Sequence, residues 1–182
     1  MSFFDGLKRF VSRANGAPQT QVAAPAQPIE HPLLGSLRSD EQFPASLAGR
    51  VAFGSEFIPI RIDPDGAPIE AALALATSAV ESFTELDAKC RSLISEDCLN
   101  GYNSDWRFGE AVDPEGSRVA FEKPRLTKSE FCAKLKLKSL EVTGPSTLTF
   151  WYSDDDMFWG HSLYVESYDG TALTDTHVSM FG

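Results

Sequence analysis

The sequence predicts an α+β fold, in which an antiparallel β-sheet of about five to seven strands carries one long helix and one or two short helices on one face. One long apolar stripe with helical spacing runs through residues 68–95. Segments with the alternation of half-buried strands lie before it, at 33–62, and after it, at 135–180. Strands grouped on either side of the helix, without a repeated strand–helix alternation, are typical of this class.

The composition excludes several kinds of protein. The 182 residues suit one domain, and the net charge of -10 disfavours a basic groove for nucleic acid while favouring cationic partners. Cys90, Cys98 and Cys132 form no CxxC pair, so we expect free thiols and neither a disulfide framework nor a cysteine zinc site. Because no secretory signal and no apolar run of about 20 residues is visible, we expect a soluble cytoplasmic protein without a membrane span.

The first 31 residues divide into two parts. Residues 1–14 predict an amphipathic helix, and its apolar face holds Phe3, Phe4, Leu7 and Phe10. Such a helix either docks on a membrane surface or a partner, or folds back on its own domain. Residues 15–31 are rich in Ala, Pro and Gln, which is typical of a linker. The α+β domain is therefore expected to span residues 32–182.

The domain opens with strand patterns. Residues 33–37 predict a first strand, and residues 46–53 and 56–62 predict a hairpin that turns at Gly54. Pro59 interrupts the second arm of this hairpin and has no N–H to donate. That arm is therefore expected to be an edge strand or to carry a bulge.

Helices follow the hairpin. The stripe over residues 68–95 predicts the long helix, and a second short helix is expected over 96–102 or on toward Trp106. Residues 103–125 predict irregular structure with a brief strand at Val119 and Phe121. The sequence T-K-S-E, beginning at Thr127, forms a capping box and predicts a short helix that ends near residue 135.

The chain ends in four predicted strands that form an antiparallel meander. They are expected over residues 135–142, 147–152, 159–168 and 173–180. Asp169 and Gly170 predict a hairpin turn between the last two.

The candidate functional residues cluster around the turn between the second and third of these strands. Adjacent carboxylates repel one another and favour a solvated loop, and Gly160 between Trp159 and His161 indicates a bulge or a close backbone approach. The predicted binding surface consists of Trp151, Asp154, Asp155, Asp156, Phe158, Trp159 and His161.

Four interpretations of this cluster remain open. Asp154, Asp156 and His161 offer ligands for a divalent cation, although their spacing is not that of an EF-hand. One aspartate with His161 offers acid–base catalysis, although no known catalytic motif accompanies them. Alternatively, exposed aromatics with carboxylates bind a basic protein, or the aromatics fill the core and the aspartates form a solvated turn. Outside the cluster, His31 is expected to be solvated, and His177 shares a strand face with Asp175.

The run F-W-Y-S-D-D-D-M-F-W-G-H-S-L resembles an uncharacterised family of small bacterial proteins with a D-D-x-F-W-G-H signature. The opening His31-Pro32-Leu33-Leu34-Gly35 also resembles that family, so the similarity spans about residues 31–182. The resemblance implies no reaction and no catalytic residue. It does suggest an analogy with the small acidic immunity proteins that neutralise bacterial toxins.

Together these patterns predict a non-enzymatic protein-binding domain without a cofactor, whose partner is a toxin or another basic protein. The first alternative is a metal- or ligand-binding module, or a hydrolase-like enzyme, that uses Asp154, Asp156 and His161. The second alternative is a membrane-surface adaptor that uses the helix at residues 1–14. The oligomeric state stays open.

Overall fold

The computed structural model describes residues 27–182, and within them ten strands and three α-helices form. The strands are β1 (Ile29–His31), β2 (Gly35–Ser39), β3 (Leu47–Phe53), β4 (Glu56–Asp63), β5 (Phe108–Val112), β6 (Arg118–Glu122), β7 (Lys136–Thr143), β8 (Thr147–Ser153), β9 (Ser162–Ser167) and β10 (Thr176–Phe181). The α-helices are α1 (Ile69–Glu81), α2 (Phe83–Gly101) and α3 (Lys128–Lys134). A π-helical turn, Tyr102–Trp106, extends α2.

Eight of these strands form one sheet, here called the main sheet, in the spatial order β1-β2-β3-β4-β7-β8-β9-β10. The other two, β5 and β6, pair only with each other within residues 27–182 and are here called the arm. The predicted α+β class is therefore confirmed, and the main sheet is mostly antiparallel. The predicted five to seven strands were too few for this sheet, because β1 has only three residues and lies where a linker was expected.

One junction in the main sheet is parallel. β4 and β7 run in the same direction, with Ile60 opposite Leu140 and Ile62 opposite Val142. The predicted antiparallel sheet is wrong at this junction, because α1 and α2 carry the chain over one face of the sheet before β7 begins. The predicted antiparallel meander of the last four strands, β7 to β10, is confirmed. The ion pair between Arg61 and Glu141, 2.6 Å apart, joins the two strands on the opposite face.

The core lies between the main sheet and the helices. Ile58, Ile60 and Ile62 are buried together, which confirms the predicted period of two along β4. α1 lies against β4 and β7, while α2 lies against β9 and β10. Within residues 27–182 the helices cover one face of the main sheet, and the other face is here called the open face.

The predicted long helix over residues 68–95 is two helices. The backbone leaves helical geometry at Ser82, where φ is -106° and ψ is 17°, and α2 then continues to Gly101. The apolar stripe continues across this break, so its periodicity does not reveal it. The predicted second short helix is the end of α2 and the π-helical turn. The capping box is confirmed, because Thr127 and Glu130 exchange hydrogen bonds at the start of α3.

The boundaries at β1 and β9 differ from the sequence prediction. Residues 29–31, placed in the linker, form β1 and pair with β2. β9 begins at Ser162, because Trp159 has a φ of 64° that no strand accommodates. Pro59 does lie where β4 has one neighbour, since β7 pairs only from Ile60 onward.

The predicted amphipathic helix at residues 1–14 lies outside the described residues. No helix within residues 27–182 is both long enough and apolar enough to span a bilayer.

Candidate functional site

The cluster predicted from the sequence lies in a loop of consecutive turns, residues 154–161, here called the signature loop. Asp155 and Asp156 have positive φ angles of 49° and 62°. The buried carboxylate of Asp154 makes this conformation stable, because it accepts hydrogen bonds from the N–H groups of Asp156 at 3.1 Å and Phe158 at 2.5 Å. The first aspartate therefore builds the loop and does not face solvent.

The other two aspartates are paired with lysines. Asp155 lies 2.9 Å from Nζ of Lys134 and 3.7 Å from Nζ of Lys136. The hydrogen bond and charge of Lys134 lower the pKa of Asp155. Asp156 lies 3.2 Å from Nζ of Lys123. These pairs attach the signature loop to α3, to β7 and to the chain that follows the arm, and they partly neutralise the acidic run.

Phe158 is an interior residue. Its ring packs edge-on against Tyr102 at 5.9 Å, Trp106 at 5.5 Å and Phe131 at 6.0 Å between centroids. The hydroxyl of Tyr102 donates to the carbonyl of Pro124. This aromatic cluster holds together the signature loop, the π-helical turn and α3. Phe158 was predicted to be part of a binding surface, but its burial leaves it no contact area for a partner.

Trp159 points the other way and fastens the arm. Its Nε1 donates to the carbonyl of Trp106 at 3.2 Å, and its ring lies 5.4 Å from the ring of Phe121 in β6. Gly109 in β5 lies under the ring, where a side chain would overlap it. The ammonium of Lys123 lies 5.1 Å from the ring centroid. Trp159 nevertheless keeps 43% of its surface exposed.

His161 closes the loop on its inner side. Its Nδ1 lies against the carbonyl of Phe158, and its ring stacks edge-on against Trp106 with centroids 5.4 Å apart. A side chain at Gly182 would overlap the same ring. Asp154 and Asp156 have the partners already described, and residues 27–182 contain no group of three His, Cys, Asp or Glu side chains that could hold a metal ion. The structure therefore does not bring the three candidate metal ligands together.

Trp151 lies apart from the signature loop, on the open face. Its ring packs against Tyr164 at 4.7 Å and Phe181 at 6.2 Å, which forms an aromatic row across β8, β9 and β10. Its Nε1 is buried and has no hydrogen-bond partner within residues 27–182. The predicted binding surface therefore separates into an interior part, a part beside the arm and Trp151 on the open face.

The arm was the feature that the sequence did not reveal. Only the strand at Val119 and Phe121 was predicted, while β5 was placed in irregular structure. The arm exposes 71% of Val112 and 50% of Val119, together with much of Phe108. Two short alternating runs around Asp113-Pro114-Glu115-Gly116 were the available signal, because such a turn between alternating residues indicates a hairpin.

The other two histidines, His31 and His177, lie outside the signature loop. Nδ1 of His31 accepts from the N–H groups of Leu33 and Leu34, so His31 shapes the β1–β2 turn and is not simply solvated. His177 is exposed on β10 with its ring centroid 6.4 Å from that of Tyr164. Asp175 precedes β10, and its N–H donates to Asp169.

Comparison with known proteins gives one match. The family model described as "Uncharacterized protein conserved in bacteria (DUF2262)" matches residues 31–178. This match confirms the resemblance to an uncharacterised bacterial family that the sequence suggested. No curated protein and no solved structure matches the chain significantly.

Proposed function

The chain belongs to the bacterial family DUF2262, and from that premise we propose that it acts by binding another protein, with the arm as its contact surface. The family description assigns no reaction, so the proposal depends on the geometry of the site. The partner is expected to be basic, because the chain carries a net charge of -10.

The observation that carries this proposal is the exposure of the arm. A two-stranded hairpin is marginally stable alone, and the domain holds this one in place with Trp159 and Lys123. On the face that touches Trp159, the half-exposed Val119 continues the apolar surface outward. Contiguous apolar surface beside an exposed tryptophan is typical of a protein-binding site.

Charges around the arm support a basic partner. Acidic residues outnumber arginines along the arm, its turn and the residue before it. The acidic residues are Glu110, Asp113, Glu115 and Glu122, and the arginines are Arg107 and Arg118. Arg118 lies 3.4 Å from Glu110, and Arg107 lies 2.5 Å from Glu122. Acidic side chains at the rim speed the encounter with a cationic surface, while the apolar centre supplies affinity.

A narrower form of the proposal is an immunity-type inhibitor that neutralises a toxin. The small size, the acidic charge and an exposed arm support this form, since an arm inserted into a basic catalytic groove would block it. The toxin would be encoded beside this gene.

The test uses the purified product of the adjacent reading frame. We expect it to bind the full chain in isothermal titration, and Val119→Asp is expected to weaken binding at least about tenfold, because a carboxylate replaces an apolar contact. Phe57→Asp provides the matched control, since Phe57 is an exposed apolar residue of β4 in the main sheet, whose strands do not pair with the arm. Rescue of growth by co-expression would test the toxin form separately.

Two results would contradict the proposal. Equal losses of binding affinity with Val119→Asp and Phe57→Asp would show that the arm is not part of the contact surface. A melting temperature that rises with divalent cation concentration, without any protein partner, would favour the ligand-binding alternative.

A further inference from the structure

β10 forms one lateral edge of the main sheet, and within residues 27–182 no strand pairs with its outer side. Its six residues, T-H-V-S-M-F, pair with β9 in unbroken register and contain no proline, lysine or bulge. Proteins ordinarily protect an exposed edge by one of those devices, because an open edge recruits other strands. The opposite edge, β1, has only three residues. The unprotected edge is therefore β10.

The ladder shows which backbone groups are available. The N–H of Tyr168 donates to the carbonyl of Asp175, so Asp175 is a hydrogen-bonded position opposite β9. Antiparallel ladders alternate, so His177 and Ser179 also direct their backbone groups toward β9. Thr176, Val178 and Met180 lie between these positions and direct theirs outward, where they can receive a further strand.

A groove of about 480 Å³ runs beside this edge, between β10 and α2. Its lining includes the apolar Leu93 and Val178. Glu96 and Asp97 also line it, and both residues are exposed. The Glu96 carboxylate lies 3.0 Å from Nζ of Lys128 and keeps most of its surface in solvent. On the open face, Phe181 exposes 67% of its surface beside the same edge. A strand added here would meet carboxylates on its helix side and an aromatic surface on its other side.

We propose that β10 accepts an extended basic segment of another protein as an additional strand of the main sheet. Backbone hydrogen bonds to Thr176, Val178 and Met180 would supply affinity. Lysine or arginine at every second position would face Glu96 and Asp97, and apolar residues at the intervening positions would cover Phe181. This surface is separate from the arm, so the inference goes beyond the proposed function.

Charge selects a basic partner over a second copy of the chain. Two β10 strands paired antiparallel about a twofold axis would bring both α2 helices to the same side of the extended sheet. Glu96 and Asp97 of one copy would then approach the same residues of the other, and each copy carries a net charge of -10. Like charges disfavour that pairing, whereas a basic strand relieves the repulsion.

The test uses the full chain and the capped peptide Lys-Val-Lys-Val-Lys-Val-Lys-Val. Amide exchange of Thr176, Val178 and Met180 is expected to slow when the peptide is added, while His177 and Ser179 remain as protected as before. A peptide with Glu in place of Lys is expected to bind at least about tenfold more weakly. N-methylation of the central four residues of the Lys peptide removes its backbone donors and should abolish binding.

Variants of the chain give a second readout. The double variant Glu96→Gln, Asp97→Asn is expected to weaken binding of the Lys peptide about fivefold, since these are exposed charges. Val178→Pro removes one outward N–H and should weaken binding of the Lys peptide further. Val178→Thr is the control, because it keeps the N–H donor. Val119→Asp on the arm should leave peptide binding unchanged, so this inference and the proposed function can fail separately.

Several outcomes would overturn the inference. Equal affinity for the Lys peptide and its N-methylated form would show that no strand is added. Slow exchange of the three outward amides in the peptide-free chain would show that the edge is already covered. Protection that grows with protein concentration would then identify a second copy as the occupant, and protection independent of concentration would identify residues 1–26.

Discussion

At the residue scale, the fit between Trp159 and Gly109 determines how the arm is held. A Cβ at position 109 would overlap Cη2 of Trp159 and lie 2.8 Å from Cζ of Phe121. The glycine is therefore required by close packing, and its φ is not in the left-handed region. The conformation of the backbone would accept alanine, but the indole ring would not.

We expect Gly109→Ala to destabilise the protein by about 1–3 kcal/mol, because overpacking forces the Trp159 ring to move. Gly101→Ala is the matched control, since a Cβ at the end of α2 meets nothing within 4 Å. That change should be neutral or stabilising by about 0.4–1 kcal/mol. Urea unfolding monitored by tryptophan fluorescence measures both changes. Equal effects would contradict the role assigned to Gly109.

Asp169 provides a pH-dependent contact in the β9–β10 turn. Hydrogen bonds from the hydroxyl of Thr174, assisted by Ser167, hold the pKa of Asp169 at about 2. Because this folded pKa lies below the unfolded value of about 3.9, the contribution is present above about pH 4 and is lost as the pH falls toward 2. Asp169→Asn removes the titration. The stability difference between wild type and this variant should be constant from pH 7 to 5 and shrink below pH 4, as measured by urea unfolding. A difference that grows on acidification would contradict this assignment.

At the element scale, a buried polar network joins α2 to the main sheet. The hydroxyl of Tyr152 in β8 donates to Oδ1 of Asp87 at 2.8 Å, and Arg91 donates to Oδ2 at 2.7 Å. Arg91 also donates to the carbonyls of Cys132 and Leu135 at the end of α3. Burial raises the pKa of Tyr152, so its hydroxyl stays a neutral donor. One carboxylate therefore positions two helices on one strand.

Tyr152→Phe is expected to cost about 1–3 kcal/mol, because it leaves a buried carboxylate oxygen of Asp87 without a donor. Tyr168→Phe is the control, since the Tyr168 hydroxyl donates to Glu166 at 2.6 Å on the exposed surface. That loss should stay within about 0.5 kcal/mol. Chemical unfolding of both variants at neutral pH compares them. Similar losses of stability in the two variants would show that the buried network stabilises the protein no more than an exposed hydrogen bond does.

Local signals in the sequence predicted the elements that depend on local contacts. The capping box at Thr127 and the alternation along β4 needed only neighbouring residues, and both are confirmed. The break at Ser82 and the parallel pairing of β4 with β7 depend on packing between distant segments. Periodicity records which side of an element is buried, and it does not record what lies against that side.

The same distinction applies to the candidate site. The three aspartates were placed correctly in a loop, because adjacent carboxylates need a turn. The partners of Asp155 and Asp156 are Lys123, Lys134 and Lys136, which lie 19 or more residues earlier in the chain and which no spacing rule connects to them. The burial of Phe158 and the exposure of Trp159, adjacent in sequence, follow from the positive φ at position 159.

At the scale of the whole molecule, the arm and the main sheet are expected to differ in stability. The arm pairs only with itself within residues 27–182 and is held by Trp159 and Lys123, whereas the main sheet is covered by α1 and α2. Segments with few buried apolar contacts open locally before the rest of a protein unfolds.

Trp159→Ala is therefore expected to accelerate amide exchange in β5 and β6 by about tenfold or more, while exchange in β8 stays unchanged. Native-state hydrogen exchange measures both regions in one sample. Phe57→Ala serves as the control, since it removes an exposed aromatic ring from the main sheet, whose strands do not pair with the arm. Equal acceleration in β6 and β8 would show that the arm and the main sheet unfold as one unit.

The parallel junction between β4 and β7 has a consequence during translation. Leu140, the partner of Ile60 across this junction, lies 80 residues later in the chain. That side of β4 therefore has no neighbouring strand until Leu140 has been synthesised. At about 5–20 residues per second, a ribosome needs roughly 4–16 s to deliver it. During that interval the isoleucines of β4, which are buried in the folded protein, stay exposed on the nascent chain. The chain is therefore expected to be prone to aggregation until β7 leaves the exit tunnel.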